Sequence, residues 1–272
     1  MEENTTPEPT SENQEEEELS HSDKIIGILT EPTTTFEKIS KHPPKTIDWL
    51  LPITLLLVVV AITRFIVLSN PEIYYAEKQK QVEKIQERFD KMVQNGQMTK
   101  EQADEQMNKV QDNIDKARSP LGYVLQFVGI LVFGFVVFFI VSAVYFLFSK
   151  FILKGDGTYA GVMVANGLTA YIAIISVIIA AILSMIFSRL LNDVSIASLV
   201  NANKMSFSGF LLSKLDVFTI WSFIVVSIGL AKMFKSASTV KYYVMVFGVW
   251  IGWSLIVYIL AKAVPFLSFL GG

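Results

Sequence analysis

The stretch ILVFGFVVFFIVSAVYFLF, residues 130–148, decides the fold class. Its nineteen residues carry no charge, and nothing in them alternates polar with apolar as a barrel strand would. Crossing a hydrocarbon core of roughly 30 Å takes about 20 helical residues. Backbone groups in lipid must be satisfied within the segment, so a run of this kind is a helix. Working outward, this run extends over 124–148, and similar runs recur at 49–68, 168–191, 217–234 and 242–260.

Composition agrees. The 272-residue chain is 52% hydrophobic and 18% charged, with mean hydropathy +0.46. An ordinary soluble domain carries about 25% charged residues. Five apolar runs leave too little polar surface to enclose them in water, which argues against a large soluble core. The sequence therefore predicts an all-α polytopic membrane protein with five transmembrane helices. An extramembrane antiparallel helical hairpin is expected between the first and second.

The charges are segregated. Residues 1–20 hold eight glutamates and no base, and read as a disordered acidic tail with nothing apolar to repay ordering. An apolar core does not follow at once, so this is not a secretory signal. Lys38, Lys41, Lys45, Lys150, Lys154, Lys232, Lys235 and Lys241 fall on one side of the expected spans. Arg189, Lys204, Lys214 and Lys262 fall on the other, leaving aside the nine bases of residues 69–120, which acids balance. The positive-inside tendency then puts the N-terminus in the cytoplasm and the C-terminus outside.

Residues 69–120 form the insert. Val82, Ile85, Phe89 and Met92 step by three and four, as do Ala103, Met107, Val110, Ile114 and Ala117. Two such stripes around Asn95-Gly96 predict paired helices with a short coiled-coil seam. Thr99 and Gln102 make a capping box, Gly96 suits the preceding stop, and Pro71 and Pro120 mark the joints with the membrane. The hairpin mixes nine bases with ten acids, so it does not suit nucleic acid, which needs unopposed positive charge. It is either a docking arm for a protein partner, over 72–118, or a stabilised connection. Residues 21–48 read as an interfacial amphipathic segment, with Phe36 and Ile39 on one face of a short helix. A loose linker is the alternative.

Candidate functional polar residues are few. Arg64 lies near the far end of the first span, where it either snorkels to the interface or meets a buried partner. Asp216 opens the fourth span, where a carboxylate complements the helix dipole or pairs with Lys214 or Arg189. Asn166 and Gln126 offer interhelical hydrogen bonds. Small residues mark candidate helix contacts: Gly248 and Gly252 in GVWIG, and Ala180, Ser184 and Ser188 one turn apart. Contact within the chain is expected there before dimerisation.

Catalysis and cofactors are not expected. The chain has no Cys, and its two histidines, His21 and His42, stand apart in a polar segment as solvated side chains. That excludes thiolate chemistry and offers no converging metal ligands. G-x-S-x-G, P-loop, H-E-x-x-H and G-x-G-x-x-G motifs are missing. Gly155 and Gly157 in KGDGTYAG could bind an anion or simply make a tight turn.

Residues 212–250, LSKLDVFTIWSFIVVSIGLAKMFKSASTVKYYVMVFGVW, resemble the late part of the Yip family, the Ypt/Rab-interacting five-span membrane proteins, in its bacterial branch. The matching positions are Asp216, Phe218, Trp221, Ile228-Gly229-Leu230 and Lys232. GDGTYAGVMVANGLTAY (155–171) is similar to the family's Gly-rich entry to the third span, and ILTEPTTTFEKISKHP (28–43) to its proline-containing N-terminal stretch. The chain departs from the pattern in lacking a proline soon after Tyr171 and in carrying the hairpin. The resemblance implies five spans, a cytoplasmic N-terminus and residence in a bacterial inner membrane. In eukaryotic members it also implies a vesicle-traffic role through small GTPases, for which none of the matched residues accounts. The function expected is non-enzymatic organisation of membrane or protein partners, with a small-molecule or ion transporter or channel as the alternative.

Overall fold

The computed structural model describes residues 18–263. Nearly all of the expected acidic tail, and the end of the last segment beyond 263, lie outside them. Within them the chain is an all-α polytopic membrane protein. Two short helices come first, α1 (His21–Thr30) and α2 (Pro32–Ser40), then α3 (Ile47–Ser69). The hairpin follows as α4 (Pro71–Gln94) and α5 (Lys100–Lys116). Next are α6 (Pro120–Leu147), closed by a π-helical turn at Phe148–Ile152, then α7 (Tyr159–Leu168) and α8 (Ala170–Ile186). The chain ends with α9 (Ile196–Leu199), α10 (Phe207–Ser213), α11 (Val217–Met233) and α12 (Val240–Ala263).

Among the described residues, four helical stretches are long and apolar enough to cross a membrane: α3, α6 with its π turn, α7 with α8, and α12. The pair α10–α11, bent by 56°, makes a fifth if it is one broken span. The outer faces are apolar. Ile62, Phe65 and Ile66 on α3, Leu125, Phe133 and Ile140 on α6, and Val244, Trp253 and Ile256 on α12 are all exposed. A contiguous surface of this kind is incompatible with water and suits hydrocarbon.

The third span departs from the expected 168–191. It starts at Tyr159, where Thr158 accepts the Gly161 N–H at 3.1 Å, and its helix ends at Ile186. The small residues Gly161, Ala165 and Gly167, which dilute the apolar signal, are buried on protein. At the other end, Ser188 adopts a left-handed φ of 49° and turns the chain away.

The hairpin forms as the stripes imply. Asn70 caps α4 with Pro71 in its first turn, and Ser119 caps α6 with Pro120 likewise. Gly96 takes the left-handed φ of 69° that an L side chain resists. Both halves of the Thr99–Gln102 capping box are present, at 2.9 and 3.2 Å. Ala103 and Met107 are buried, while Val82, Ile85, Phe89 and Met92 are half-buried in the seam. Lys78 and Asp115 bridge the two arms at 2.5 Å.

The N-terminal segment is built into the bundle, where its apolar face finds protein. Ile28, Phe36 and Ile39 join the main core with Val162 and Leu168 of α7, Val225 and Leu230 of α11, and Val246 of α12. A second cluster of Ile53, Leu57, Phe138 and Ala170 ties α3, α6 and α8 together, with Trp49 stacked on Phe138 at 5.6 Å.

Gly229 of α11 makes room for α2: a Cβ there would stand 2.8 Å from Phe36 Cζ and 3.0 Å from Ala165 Cβ. Gly229→Leu is therefore expected to push α2 off α11, and Phe36→Ala to destabilise by about 3–5 kcal/mol through the cavity it leaves. Unfolding of the detergent-solubilised protein checks both. Wild-type stability in either variant would contradict this packing.

Candidate functional site

The largest constellation of buried charge joins the N-terminal helices to the first and third spans. Ser20 caps α1 by accepting the Asp23 N–H at 3.2 Å. That start places His21 and Lys24, one turn apart, on the same helix face. Both reach the first turn of α3, where Asp48 also has the favourable end of the helix dipole. Lys24 Nζ donates to Asp48 Oδ2 at 2.7 Å, and the two residues are only 4% and 2% exposed. His21 Nδ1 lies 3.3 Å from Asp48 Oδ1, and its Nε2 lies 2.7 Å from the Tyr171 hydroxyl on α8. A single neutral tautomer, protonated on Nδ1, satisfies both contacts, with Tyr171 donating.

Glu18 extends the network to the surface. It accepts from Lys45 at 2.6 Å and from Lys24 at 3.4 Å. The Lys45 hydrogen bond in particular holds the Glu18 carboxyl below the usual carboxylate range. The gap beside the network, between Lys24, His42 and Asp48, is about 10 Å³, no more than a water's space. An acid, a base and a phenol are thus engaged with one another. The arrangement works as a clasp, fastening α1 to α3 and α8. Among the described residues no group of three or more His, Asp or Glu is placed to hold a metal.

The expected site residues are not brought together. Asn166 Nδ2 donates to Ser142 Oγ at 3.1 Å, linking α7 to α6. Gln126 instead reaches the Ala117 carbonyl at 2.7 Å, at the end of α5. Asp216 caps α11, accepting from Phe218 and Thr219 N–H at 2.9 and 3.0 Å, and also takes the Val194 N–H at 3.2 Å. Arg189 donates to the Ser198 and Leu199 carbonyls, and Lys214 lies over the Phe210 ring, so neither supplies the ion pair considered for Asp216. Arg64 is exposed and lines a cleft at the base of the hairpin.

Among the small residues, Ala180 and Ser184 are buried, and Ser184 Oγ accepts the Leu191 N–H at 2.9 Å. Ser188 lies past the end of α8, so within the helix that repeat covers only the one turn from Ala180 to Ser184. A Cβ on Gly248 or Gly252 would meet nothing within 4 Å, which corrects the contact expected there within the chain. Gly155 and Gly157 pack against the Phe234 side chain, where a Cβ would come within 2.8 and 2.6 Å of its ring. This close approach to Phe234 accounts for both glycines.

His21, Lys24, Asp48 and Tyr171 were not legible as a group. His21 is a bridge between elements, where the sequence suggested a solvated side chain. The one available signal was Asp48, a carboxylate at the mouth of an apolar run. A second network was also hidden in the connection after α8. There Asp193 accepts from Lys204 at 2.6 Å and from the Ser195 and Ser198 hydroxyls at 2.5 Å each. Burial pushes its carboxyl up, but these hydrogen bonds outweigh that and hold it down to about 2.

Two outcomes follow from the geometry. Asp48→Ala leaves Lys24 as a buried cation without its main partner and is expected to cost about 3–5 kcal/mol, whereas Lys24→Met with Asp48→Leu recovers much of it. Unfolding in micelles, and thiol labelling of a single cysteine placed at Ile28 in this cysteine-free chain, report the release of α1. For Asp193 the folded value lies below the ordinary one, so its contribution is present above about pH 4 and disappears as pH falls towards 2. Hydrogen exchange over residues 194–206 is expected to quicken across that interval in the wild type, but not in Asp193→Asn.

No curated protein and no solved structure matches the chain. The family model of the Yip1 domain does, over residues 26–261. That range runs from within α1 to the last turn of α12, takes in the hairpin and the candidate spans, and includes Asp48 and Tyr171 of the clasp but begins just after His21 and Lys24. On that coverage the chain belongs to the Yip1 domain family of membrane proteins.

Proposed function

We propose that this Yip1 family protein works without catalysis, as a membrane-embedded organiser whose hairpin is the arm that meets a protein partner. The hairpin is the observation that carries the reading. Its 24-residue first helix spans roughly 36 Å, and the outward faces of both helices are exposed and carry mixed charge. It is fixed at both joints by capped, proline-started helices, which favours a held arm over a slack loop.

The spans supply complementary support. Apart from Arg64, the polar groups singled out in them, Asp48, Asn166 and Asp216, are engaged in a clasp, a helix-to-helix bond and a cap, and the gap at the clasp is about 10 Å³. The family is not known for enzymatic activity. Transport would need Arg64, Asn166 and Asp216 along one path, and their separate surroundings give it no support.

Orientation follows the lysines. Lys232 pairs with Glu37 at 2.7 Å, and the Asp156 N–H reaches the Phe234 carbonyl at 3.4 Å, so the three lysine-bearing segments meet on one face. That supports a cytoplasmic N-terminal face in a bacterial inner membrane, with the hairpin and C-terminus outside.

Affinity capture from crosslinked membranes tests the role, comparing the full chain with one in which residues 72–118 are replaced by a short Gly/Ser linker. A partner recovered with the full chain and lost from the shortened one, at equal membrane insertion, is the expected result. Identical partners from both would remove the docking role.

A further inference from the structure

The cleft at the base of the hairpin has the form of a ligand site. It measures about 490 Å³, within the range of small-molecule pockets, and lies where α3 leaves the membrane and α6 re-enters it. Its chemistry changes along the membrane normal. The membrane-side wall is Ile62, Phe65, Phe127 and Ile130, side chains of the first and second spans. The hairpin-side wall is Tyr74, Glu77 and Lys78 of α4, with Arg118 from the joint and Arg64 reaching up from α3.

The charge is unbalanced. Three cations line the cleft against one carboxylate, and Asp115, which pairs with Lys78, offsets only one more. Arg64 makes no hydrogen bond or ion pair with the described residues, and the Arg118 guanidinium lies 4.1 Å from the centre of the Tyr74 ring. The Tyr74 hydroxyl is buried without a hydrogen-bond partner. An acceptor brought by a ligand would satisfy this orphaned donor.

We propose that the cleft binds one anionic phospholipid from the leaflet on the hairpin side. Its phosphate lies against Arg64 and Arg118 and accepts from the Tyr74 hydroxyl. Its acyl chains run down past Ile62, Phe65 and Phe127 into the bilayer. A free phosphate would leave that apolar wall uncovered, and a neutral lipid would leave Arg64 without an anion and Arg118 with only Tyr123 and the Tyr74 ring. Basic pockets beside spans recognise anionic headgroups on this principle. The hairpin that makes half of the site is the same element read above as a docking arm, but the lipid site does not depend on that role.

Native mass spectrometry of the full-length protein in detergent, titrated with dioleoyl-phosphatidylglycerol or dioleoyl-phosphatidylcholine, tests the assignment. The expected result is one retained phosphatidylglycerol, bound about tenfold or more tightly than phosphatidylcholine. Arg64→Leu with Arg118→Gln is expected to abolish that preference, Tyr74→Phe to weaken it severalfold, and Arg64→Lys to keep most of it. Lys109→Gln, on the hairpin away from the cleft, should match the wild type. Equal retention of the two lipids by the wild-type protein would overturn the proposal, whatever the variants do. Displacement of the lipid by millimolar inorganic phosphate would overturn it too, by assigning the arginines to a free anion.

Discussion

The outward sides of α3, α6 and α12 are dominated by large apolar side chains, which hydrocarbon solvates and water does not. The rest of the molecule is arranged around that constraint. Backbone donors and acceptors must close within helices over the spanning segments, so the chain has no choice of secondary structure there. Charges are confined to the two ends of the bundle, where water or a partner can be reached. The ends differ in construction. One is closed by the Lys24–Asp48 clasp and the Lys232–Glu37 pair, and the other carries the hairpin and the Asp193 network.

Lipid also removes part of the usual reason for helices to adhere, since a neighbouring span is no more apolar than an acyl chain. Shape then has to hold the bundle together, and close approach at small residues provides it. Gly134 takes the Leu57 side chain of α3, Gly167 lies against the backbone of Trp49, and Gly229 takes the Phe36 ring. Each pairs a vacancy on one helix with a bulky group on another, which fixes rotation and register together. The same principle explains why α2, nine residues long, holds its place: Phe36 enters a depression that only glycine leaves open.

Much of this was legible because it is local. A run of apolar residues announces a span by itself, and a capping box, a left-handed glycine and two joint prolines specify the hairpin within a few residues of each other. The third span was misplaced at its start because Gly161, Ala165 and Gly167 lower the apolar count, though they are small for the sake of packing. The clasp left no such trace. Lys24 and Asp48 are 24 residues apart, and His21 and Tyr171 are 150 apart, so nothing in the spacing of either pair distinguishes a bridge from two solvated side chains. The GxxxG pattern failed in the opposite direction. It permits close approach without requiring it, and here it faces outward on α12.

The hairpin has a structural consequence apart from any partner. Between the first two spans a short connection would let α3 and α6 close against each other up to the membrane surface. A pair of long helices rising from the same joints holds the ends of the spans apart instead, and the cleft is the space left over. Its polar wall comes from the hairpin and the joints, its apolar wall from the spans, and Arg64 stands where the two meet. The arginine that looks costly when the first span is considered alone thus lines a cleft with two tyrosines and a second guanidinium. Its place in the span follows from the insert beside it.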